Sequence, residues 1–420
     1  MLRRTVIRGF CAHTAVAFLG IGGVTMQVFG IEHADIEVLL KTEQSGDASQ
    51  LLKKIAAAKT QGVRKIRIQG DVDIFEPLII PSEIEVIFDG VLRSHSKDAT
   101  LLLENVTDVV LRFHEILGDG VTEQQSGVAI RNSSDCTVYG SRILSILNKG
   151  VEISSTNDGR SERNLVSIDI IRGAIGKSGA GVSIFGKSSA QNRIEGGVLS
   201  GNRIGITING GMFNQVRSVT CSNNLEAGAM IDGMVSRAAD GGSHNVLRSL
   251  ICNSNGSANA AYGGVYLGNG SSFNEIIDLV AEGNFGAGCR LSGGDSFQNK
   301  GNKFEHFRLH NNQRGGFVAS ESPGSTLIDV IAEENGLSGI ALFKSDDSNV
   351  SGRSDGNGAD GLLIQSANVE VLNFLASGNK GYGIHVAYGG SNSPNAKIHQ
   401  FSGNGNVRGP LYLPSSIGNK

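Results

Sequence analysis

The sequence predicts an all-β chain folded as a right-handed, single-stranded parallel β-helix, a solenoid that an N-terminal α-helix caps. Three observations support this fold class. A nine-residue pattern with apolar first, fourth and sixth positions and a closing Asn recurs through the second half of the chain. A short glycine-rich segment follows each copy, and a helix pattern precedes the repeats. Self-similarity at a period of about 20–50 residues is typical of solenoids.

Composition excludes several other classes of protein. The 420 residues carry a net charge of -3 and include 59 Gly but only 6 Pro and no Trp. So small a charge argues against a protein that binds nucleic acid through a basic face. The apolar share of 39% is too high for a disordered chain, and the glycines lack the Gly-X-Y period of collagen. We interpret them as tight turns of a folded chain.

Residues 1–30 are predicted to be a secretory signal peptide. Three arginines lie within the first eight residues, and a glycine-interrupted apolar run follows from Ala15 to Val28. Because this run is short of the about 20 residues that a spanning helix needs, we favour cleavage before Ile31. The alternative is an uncleaved leader, which would be the chain's only contact with a membrane. The predicted location is secreted or periplasmic.

Residues 31–100 are predicted to form an N-terminal cap. The stretch "GDASQLLKKIAAAKTQG" (46–62) begins with Asp and Ser, continues with Ala, Leu and Lys, and ends with Gly, which is the pattern of a capped helix. The stretches at 64–74 and 84–94 alternate apolar and polar residues, as half-buried strands do. A solenoid must cover its open end, and a helix followed by early strands would do so.

Residues 101–410 are predicted to form the β-helix, and residues 411–420 a C-terminal tail. The nine-residue pattern also fits the leucine-rich-repeat template, which is the main alternative. The segments that follow it, such as "YGGVYL" and "GAGCRL", have the two-residue period of strands after a glycine bend. A leucine-rich repeat would need a helical or 3₁₀ segment there, so the β-helix is favoured. The clearest copies start at Val216, Leu247, Ile276, Phe304 and Leu327.

The Asn that closes each copy is interpreted as structural. Asn tolerates the left-handed backbone that a bend requires, and stacked amides can hydrogen-bond along the solenoid axis. The column comprises Asn224, Asn255, Asn284, Asn312 and Asn335.

The cysteines are predicted to be buried free thiols. Cys11 lies in the leader, and the other four form no C-x-x-C pair, so a metal site is not indicated. These four are Cys136, Cys221, Cys252 and Cys289.

The order of helix, early strands and glycine-punctuated coils resembles the pectate-lyase-like β-helix superfamily, which includes bacteriophage tailspikes and secreted polysaccharide-cleaving enzymes. The resemblance covers roughly residues 45–410 and concerns architecture. The polygalacturonase set (an Asp pair, Gly-His-Gly and Arg-x-Lys) is not present as a set, and the Asp-Pro-His-Asp signature of alginate epimerases is absent. No catalytic residue is therefore transferred from the superfamily.

The candidate site comes from the stretch "NKFEHFRLHNN" (302–312). Its three large apolar residues are expected to face inward, and the polar residues among them outward, since side chains alternate along a strand. Stacking the coils then predicts two columns in which a His lies between two acids. The third position would align Asp278, His306 and Asp329, and the seventh Glu282, His310 and Glu333.

We predict catalytic roles for the members of the first column and for the second histidine, and substrate contacts for the residues around them. No metal ligand is predicted. The catalytic candidates are His306, His310, Asp278 and Asp329, and the substrate-binding candidates are Arg308, Glu282, Glu333, Glu305 and Arg248.

These residue types suit an acidic polysaccharide. Arg308 would neutralise a uronic-acid carboxylate while a histidine removes the neighbouring proton, as in β-elimination or epimerisation. Acids on either side of the sugar would instead serve an inverting hydrolysis. We therefore predict an exported protein that binds an acidic polysaccharide and modifies it by lyase, epimerase or hydrolase chemistry.

Three alternatives stay open: a non-catalytic glycan-binding adhesin, a tailspike-like fibre, and a merely solvated polar face. Opposite charges across strands contribute only about 0.2–1 kcal/mol each, so a solvated face is a serious competitor. No nucleic-acid partner is expected. Enzymatic activity, oligomerisation and a requirement for Ca²⁺ are left open, and no other cofactor is indicated.

Overall fold

Two large sheets, a two-stranded sheet formed by residues 161–162 and 189–190, and one short helix make up the regular structure of the described residues. The computed structural model describes residues 15–21, 24–30, 37–41, 46–156, 158–233, 242–260, 262–294, 296–388 and 395–414. The first elements are β1 (Ala15–Ile21), β2 (Val24–Gly30), β3 (Glu37–Lys41), β4 (Gly46–Asp47), α1 (Ala48–Thr60), β5 (Lys65–Gln69), β6 (Val72–Ile74), β7 (Leu78–Ile79), β8 (Ile84–Ser94), β9 (Ala99–Glu104), β10 (Val109–Gly118), β11 (Ser126–Arg131), β12 (Thr137–Leu144), β13 (Lys149–Ser154), β14 (Ser161–Glu162), β15 (Leu165–Arg172), β16 (Ala180–Phe185), β17 (Ser189–Ala190), β18 (Arg193–Glu195) and β19 (Val198–Leu199). The remaining elements are β20 (Ile204–Asn209), β21 (Gln215–Arg217), β22 (Ala227–Asp232), β23 (Val246–Ile251), β24 (Gly263–Gly268), β25 (Glu275–Glu282), β26 (Ala287–Ser292), β27 (Lys303–Glu305), β28 (Arg308–His310), β29 (Phe317–Ser320), β30 (Thr326–Glu333), β31 (Ile340–Phe343), β32 (Asn349–Asp355), β33 (Leu362–Gln365), β34 (Val369–Ser377), β35 (Tyr382–Val386), β36 (Ala396–Ile398), β37 (Phe401–Ser402) and β38 (Gly409–Tyr412).

The chain winds as a parallel β-solenoid, as predicted. Successive coils place strands alternately in a 22-stranded sheet, here called sheet A, and a 14-stranded sheet, called sheet B. Sheet B runs in chain order from β7 through β9, β11 and β13 to β35 and β38, all paired in parallel. The glycine-led second strands predicted from the sequence, such as β24 and β26, are neighbours in sheet B. Since each strand pairs with the strand one coil later, equivalent repeat positions stack in columns.

The start of the chain combines antiparallel and parallel pairing. β1 pairs antiparallel with β2, β2 pairs antiparallel with β3, and β3 then pairs in parallel with β5. The predicted leader 1–30 lies partly on β1 and β2 and partly outside the described residues, so its cleavage stays a prediction. Among the described residues, no helix is long and apolar enough to cross a membrane.

Helix α1 forms where the sequence predicts it. It buries Leu51, Ile55 and Ala58 towards the first coils and contacts β6 and β7. It ends at Thr60, and beyond it Gly62 has a φ of 81° and the Val63 N–H donates a hydrogen bond to the Ala58 carbonyl. This is the Schellman arrangement that a terminal glycine allows. Strands β5 and β8 of the predicted cap already pair in parallel, as the later coils do. At the other end, β38 pairs with β35 and extends into the predicted tail 411–420.

The core is a continuous stack of aliphatic and aromatic side chains between the sheets. Phe304, Phe307 and Leu309 point inward as predicted and are almost fully buried. The Phe304 ring packs edge-on against Phe317 of sheet B at 5.0 Å between centroids. These inward residues fix the outward direction of the polar residues between them. The four cysteines beyond the leader are free and fully buried, also as predicted, whereas Cys11 lies outside the described residues.

The closing Asn residues form the predicted amide ladder. The Asn284 side chain, for example, donates to Asn312 Oδ1 at 2.8 Å and accepts from Asn255 at 3.0 Å. The prediction that these Asn residues adopt the left-handed conformation is wrong. That conformation occurs one position earlier, as at Asn311 (φ 51°) and Glu334 (φ 54°), because the bend must be completed before the amide can turn inward.

A second amide ladder, which the sequence analysis did not identify, runs along another corner of the solenoid. In it, each side-chain amide again donates to the Oδ1 of the Asn one coil later, at 2.9–3.1 Å. Its members are Asn164, Asn192, Asn214, Asn245, Asn274 and Asn302.

Candidate functional site

The polar stretch at 302–312 lies on two short strands of sheet A with a bend between them. β27 ends at Glu305, β28 begins at Arg308, and His306 at the bend has a φ of 56°. Strict alternation would turn either Glu305 or His306 inward. The left-handed residue interrupts the alternation, so both face outward while Phe304 and Phe307 stay in the core.

The same bend recurs in the neighbouring coils and aligns the first predicted column. Asp278 and Asp329 also have left-handed backbones, with φ values of 58° and 53°. His306 Nδ1 lies 3.3 Å from Asp278 Oδ1, and His306 Nε2 lies 3.8 Å from Asp329 Oδ2. The three predicted residues therefore come together, and the side chain of His306 is 57% exposed.

The second predicted column forms with one change of partner. His310 Nδ1 lies 3.4 Å from Glu282 Oε1, as predicted, but His310 Nε2 contacts Glu334 Oε2 at 3.2 Å. Glu333 lies opposite His310 in the register, yet its carboxylate pairs with Arg353 of the next coil. Backbone register alone suggested Glu333. The left-handed conformation of Glu334 redirects the chain and brings the following carboxylate to the histidine instead.

Arg308 lies between the two columns and is exposed. Its neighbours in the sheet are Val280 on one side and Ile331 on the other. These aliphatic side chains offer a surface along which the stem of the arginine can lie, with its guanidinium in water. Among the described residues, Arg308 has no ion pair, so its charge is available to an anion from outside the chain.

The two flanking candidates, Glu305 and Arg248, differ in whether their charge is available to a ligand. Glu305 is paired with Lys303 at 2.6 Å, which raises the pKa of Lys303 through their hydrogen bond. Arg248 is exposed on β23, opposite Arg217 and Ile277 in the register, and makes no ion pair within the described ranges. Arg248 thus lies on the same sheet face as Arg308, one coil before Asp278.

The arrangement limits what the histidines can do chemically. Each imidazole has a carboxylate near both ring nitrogens, and both contacts are attractive only when both nitrogens carry a proton. A carboxylate must therefore move aside before either ring nitrogen can contact a ligand. Exposed ion pairs contribute only about 0–1 kcal/mol, so a ligand could displace either carboxylate. In the described parts of the chain, no group of three or more His, Cys, Asp or Glu residues could hold a metal ion.

A further imidazole–carboxylate pair lies near the C-terminal end of sheet B. His385 Nδ1 lies 2.9 Å from Asp360 Oδ2, and Asp360 Oδ1 accepts the backbone N–H of Tyr382 at 2.7 Å. The rings of Tyr382 and Tyr412 pack at 5.0 and 5.1 Å from the His385 ring. The sequence analysis missed this cluster because Asp360 precedes its strand and is not part of the nine-residue pattern.

Comparison with known proteins supports the fold. Residues 258–401 match the family model described as "Right handed beta helix region". No curated protein sequence matches the chain. The predicted right-handed β-helix, and the resemblance to the pectate-lyase-like superfamily as architecture, are therefore confirmed.

Solved structures share the architecture at low identity. The chain is similar to the A-module of mannuronan C-5 epimerase AlgE4 from Azotobacter vinelandii, with 15% identity over 89% of this chain and 96% of that chain and a TM-score of 0.50. It is similar to a tailspike protein mutant of E. coli bacteriophage HK620 in complex with a pentasaccharide, with 13% identity over 80% of this chain and 76% of that chain and a TM-score of 0.53. At such identities the likeness shows the fold alone.

Proposed function

We propose that this chain is an exported β-helix protein that binds an acidic polysaccharide on the outer face of sheet A. The observation that carries the proposal is Arg308, an exposed guanidinium without an ion pair among the described residues. It lies between two columns in which His306 and His310 each contact two carboxylates. A guanidinium binds a carboxylate through two parallel hydrogen bonds, which suits the uronate group of an acidic sugar.

The surrounding groups complete a surface for a sugar chain. The imidazoles and the displaceable carboxylates would exchange hydrogen bonds with hydroxyl groups, and Arg248 would extend the cationic surface along the sheet. The fold is compatible with such a ligand, since the names of the solved structures described above include a mannuronan epimerase and a pentasaccharide complex.

These residues could serve either of two reaction classes. Hydrolysis would use His306 or a neighbouring carboxylic acid as proton donor and Asp278 or Asp329 as base. Elimination or epimerisation would use a histidine as base once a ligand displaces one of its carboxylate partners. The second candidate function is binding without turnover, as in an adhesin. It is favoured by the fact that both imidazoles already have partners at both nitrogens.

Binding is tested with immobilised uronic-acid polymers and their neutral counterparts. We expect Arg308→Gln to weaken binding to the acidic polymers at least tenfold and to leave neutral polymers unaffected. Arg314→Gln is the matched control, because Arg314 is also exposed and lacks an ion pair among the described residues but lies beyond the end of β28. Equal affinities for the Arg308 variant and the parent would rule out the proposed surface.

Turnover is tested separately on the same polymers, with His306→Asn and His310→Asn variants. Asn is chosen because it tolerates the left-handed conformation at 306, so the bend is preserved. New reducing ends would indicate hydrolysis, and an unsaturated product would indicate elimination. A changed uronate signal in the NMR spectrum would indicate epimerisation. Loss of product in either variant would support a catalytic site. Equal product from the parent and both variants would exclude a catalytic role for either histidine. If the parent forms no product, binding without turnover is the function.

Export is tested by the mass of the N-terminus after expression with a secretion system. A mature chain starting at or near Ile31 would support the predicted leader. An intact N-terminus in a membrane fraction would support the uncleaved alternative, and an intact N-terminus in the soluble cell fraction would contradict export.

A further inference from the structure

Sheet B carries a recessed cleft on the side of the molecule that the proposed sheet A site does not use. Its volume is about 520 Å³, within the range of small-molecule sites. It lies over β13, β16, β20 and β22, and the segment between β15 and β16 forms one wall. Side chains that line it include Lys149, Lys177, Glu152, Glu226, Phe185 and Tyr262.

The floor of the cleft is polar and shielded. Ser183 and Thr207 occupy one outward-facing column of sheet B, in register, yet they are only 3% and 9% exposed. Asn209 lines the same cleft, and its Oδ1 is buried without a hydrogen-bond partner among the described residues. Hydroxyl and amide groups in a recess are suited to the hydroxyl groups of a sugar, and a buried acceptor without a donor destabilises the free protein until a donor binds.

The carboxylates at the cleft already have cationic partners. Glu152 lies 3.3 Å from Arg131 and accepts a hydrogen bond from Ser154 at 2.8 Å. Glu226 lies 2.7 Å from Arg203 and is largely buried. Glu226 is thus neutralised by Arg203, whereas Glu152 shares Arg131 with Asp98, which the same guanidinium contacts at 2.6 Å. The three cationic side chains that line the cleft outnumber its two carboxylates, so a ligand meets a net positive charge.

The ammonium groups, in contrast, lack carboxylate partners. Lys149 donates to the backbone carbonyl of Ser178, and Lys177 makes no ion pair in the described part of the chain. Burial lowers the pKa of Lys149 to about 8, with a smaller lowering by Arg203 that Glu152 opposes. Lys149 therefore carries a positive charge near neutral pH and loses it as the pH rises through about 8. An anion placed beside it would stabilise the charged form.

We infer that this cleft binds an acidic oligosaccharide, with Lys149 and Lys177 meeting its carboxylates and the floor meeting its hydroxyl groups. Phe185 and Tyr262 stand at the edge, where an aromatic face can lie against a sugar ring. Phe185 is 41% exposed, so its ring is accessible for such a contact. The inference shares a ligand class with the proposed function, but it rests on different residues in the other sheet.

The test measures binding by calorimetry, with trisaccharides of galacturonate, mannuronate and glucuronate, a neutral trisaccharide, and inorganic phosphate. We expect at least one acidic trisaccharide to bind the full chain. Lys149→Met combined with Lys177→Met should weaken that binding at least tenfold, while Lys380→Met, an exposed lysine outside the cleft, should not. The parent's affinity should also fall between pH 7 and 9.5, as Lys149 loses its proton.

Several results would overturn the inference. These are no binding by any acidic trisaccharide, undiminished binding by the double variant, and equal binding of the neutral sugar or of phosphate alone. Since Lys149 is half-buried, the melting temperature of each variant is measured, and the single Lys177→Met variant tests the cleft if the double variant does not fold. Loss of binding in Arg308→Gln but not in the lysine variants would support the sheet A site and reject this one.

Discussion

Left-handed residues decide which side chains face outward at the sheet A site. His306, Asp278 and Asp329 owe their common direction to positive φ values. For a residue other than Gly, this conformation costs roughly 1–2 kcal/mol. The half-exposed ion pairs of His306 contribute only about 0–1 kcal/mol to the free energy of folding. Ser218 and Ser249 in the two preceding coils have the same positive φ, so this conformation belongs to the coil and does not depend on the ion pairs of His306.

This comparison predicts opposite effects for two substitutions at one residue. His306→Gly should leave the free energy of unfolding within about 1 kcal/mol of the parent or raise it, because Gly adopts positive φ without strain. His306→Val should lower it by about 1–2 kcal/mol, since a β-branched residue is disfavoured there. Urea unfolding of both variants is the measurement. Equal destabilisation by Gly and Val would show that the histidine side chain, and not the backbone, stabilises the bend.

The buried thiols give a second prediction at this scale. Burial raises the pKa of Cys136 to about 11 and that of Cys289 well above its usual range. The hydrogen bond that the Cys221 thiol donates to Cys252, together with burial, raises the pKa of Cys221. Thiolate is the reactive form, so these residues should resist a thiol reagent at pH 8 in the folded protein and react after denaturation. The assay uses a Cys11→Ser background. Rapid labelling of the native chain would contradict the burial.

At the scale of elements, the periodicity of the sequence was sufficient to predict the strands and the amide ladder, because both repeat in every coil. It was not sufficient to place Glu334, since its contact with His310 depends on one left-handed residue outside the strand pairing. Nor did it predict the sheet B cleft, one wall of which is the connection at 173–179, outside the nine-residue pattern. Contacts that repeat leave a statistical pattern, and unique connections do not.

The Asn ladder predicts a large effect from one small truncation. In Asn284→Ala, the backbone N–H and side-chain amide of Asn255 lose their acceptor, at present 2.8 and 3.0 Å away. Each buried donor left without an acceptor costs about 1–3 kcal/mol, so for the two donors we expect a loss of about 2–6 kcal/mol in the free energy of unfolding. Asn311→Gly is the control, an exposed neighbouring position at φ 51° that should change by less than about 1 kcal/mol. Similar losses in both variants would mean that the ladder does not hold the coils together.

A glycine of sheet B tests the closeness of the coils. A Cβ at Gly264 would lie 2.4 Å from the carbonyl oxygen of Gly288 in the next coil, although Gly264 itself does not have a positive φ. Gly264→Ala should therefore destabilise by about 3 kcal/mol through overpacking. At Gly283, with a φ of 63°, a Cβ would meet only Ser254 Oγ at an ordinary contact distance of 3.8 Å, so Gly283→Ala should cost only about 1–2 kcal/mol of backbone strain. If the Gly283 variant is the less stable of the two, the backbone conformation and not the close spacing of the coils would be the reason that these positions require glycine.

For the whole molecule, stability is expected to be distributed along the solenoid axis. Each coil pairs with the coil before and the coil after it, and α1 covers the first coils. The free energy of unfolding in such a structure is approximately a sum over coils and their interfaces. A defect in the core should therefore weaken the coils around it more than the distant ones, in contrast to a compact globular domain.

Phe304→Ala tests this expectation. Phe304 is fully buried and packs against both Phe307 and Phe317, so its truncation should cost about 3–5 kcal/mol. In hydrogen exchange, amide protection should fall most in β25–β30 and least in α1 and β5–β8. Phe213→Ala, at a 50%-exposed position, is the control and should leave the exchange of those strands unchanged. A uniform loss of protection from α1 to β35 would show that the solenoid unfolds as a single cooperative unit. In that case a mutation at one proposed site would also destabilise the coils that carry the other site.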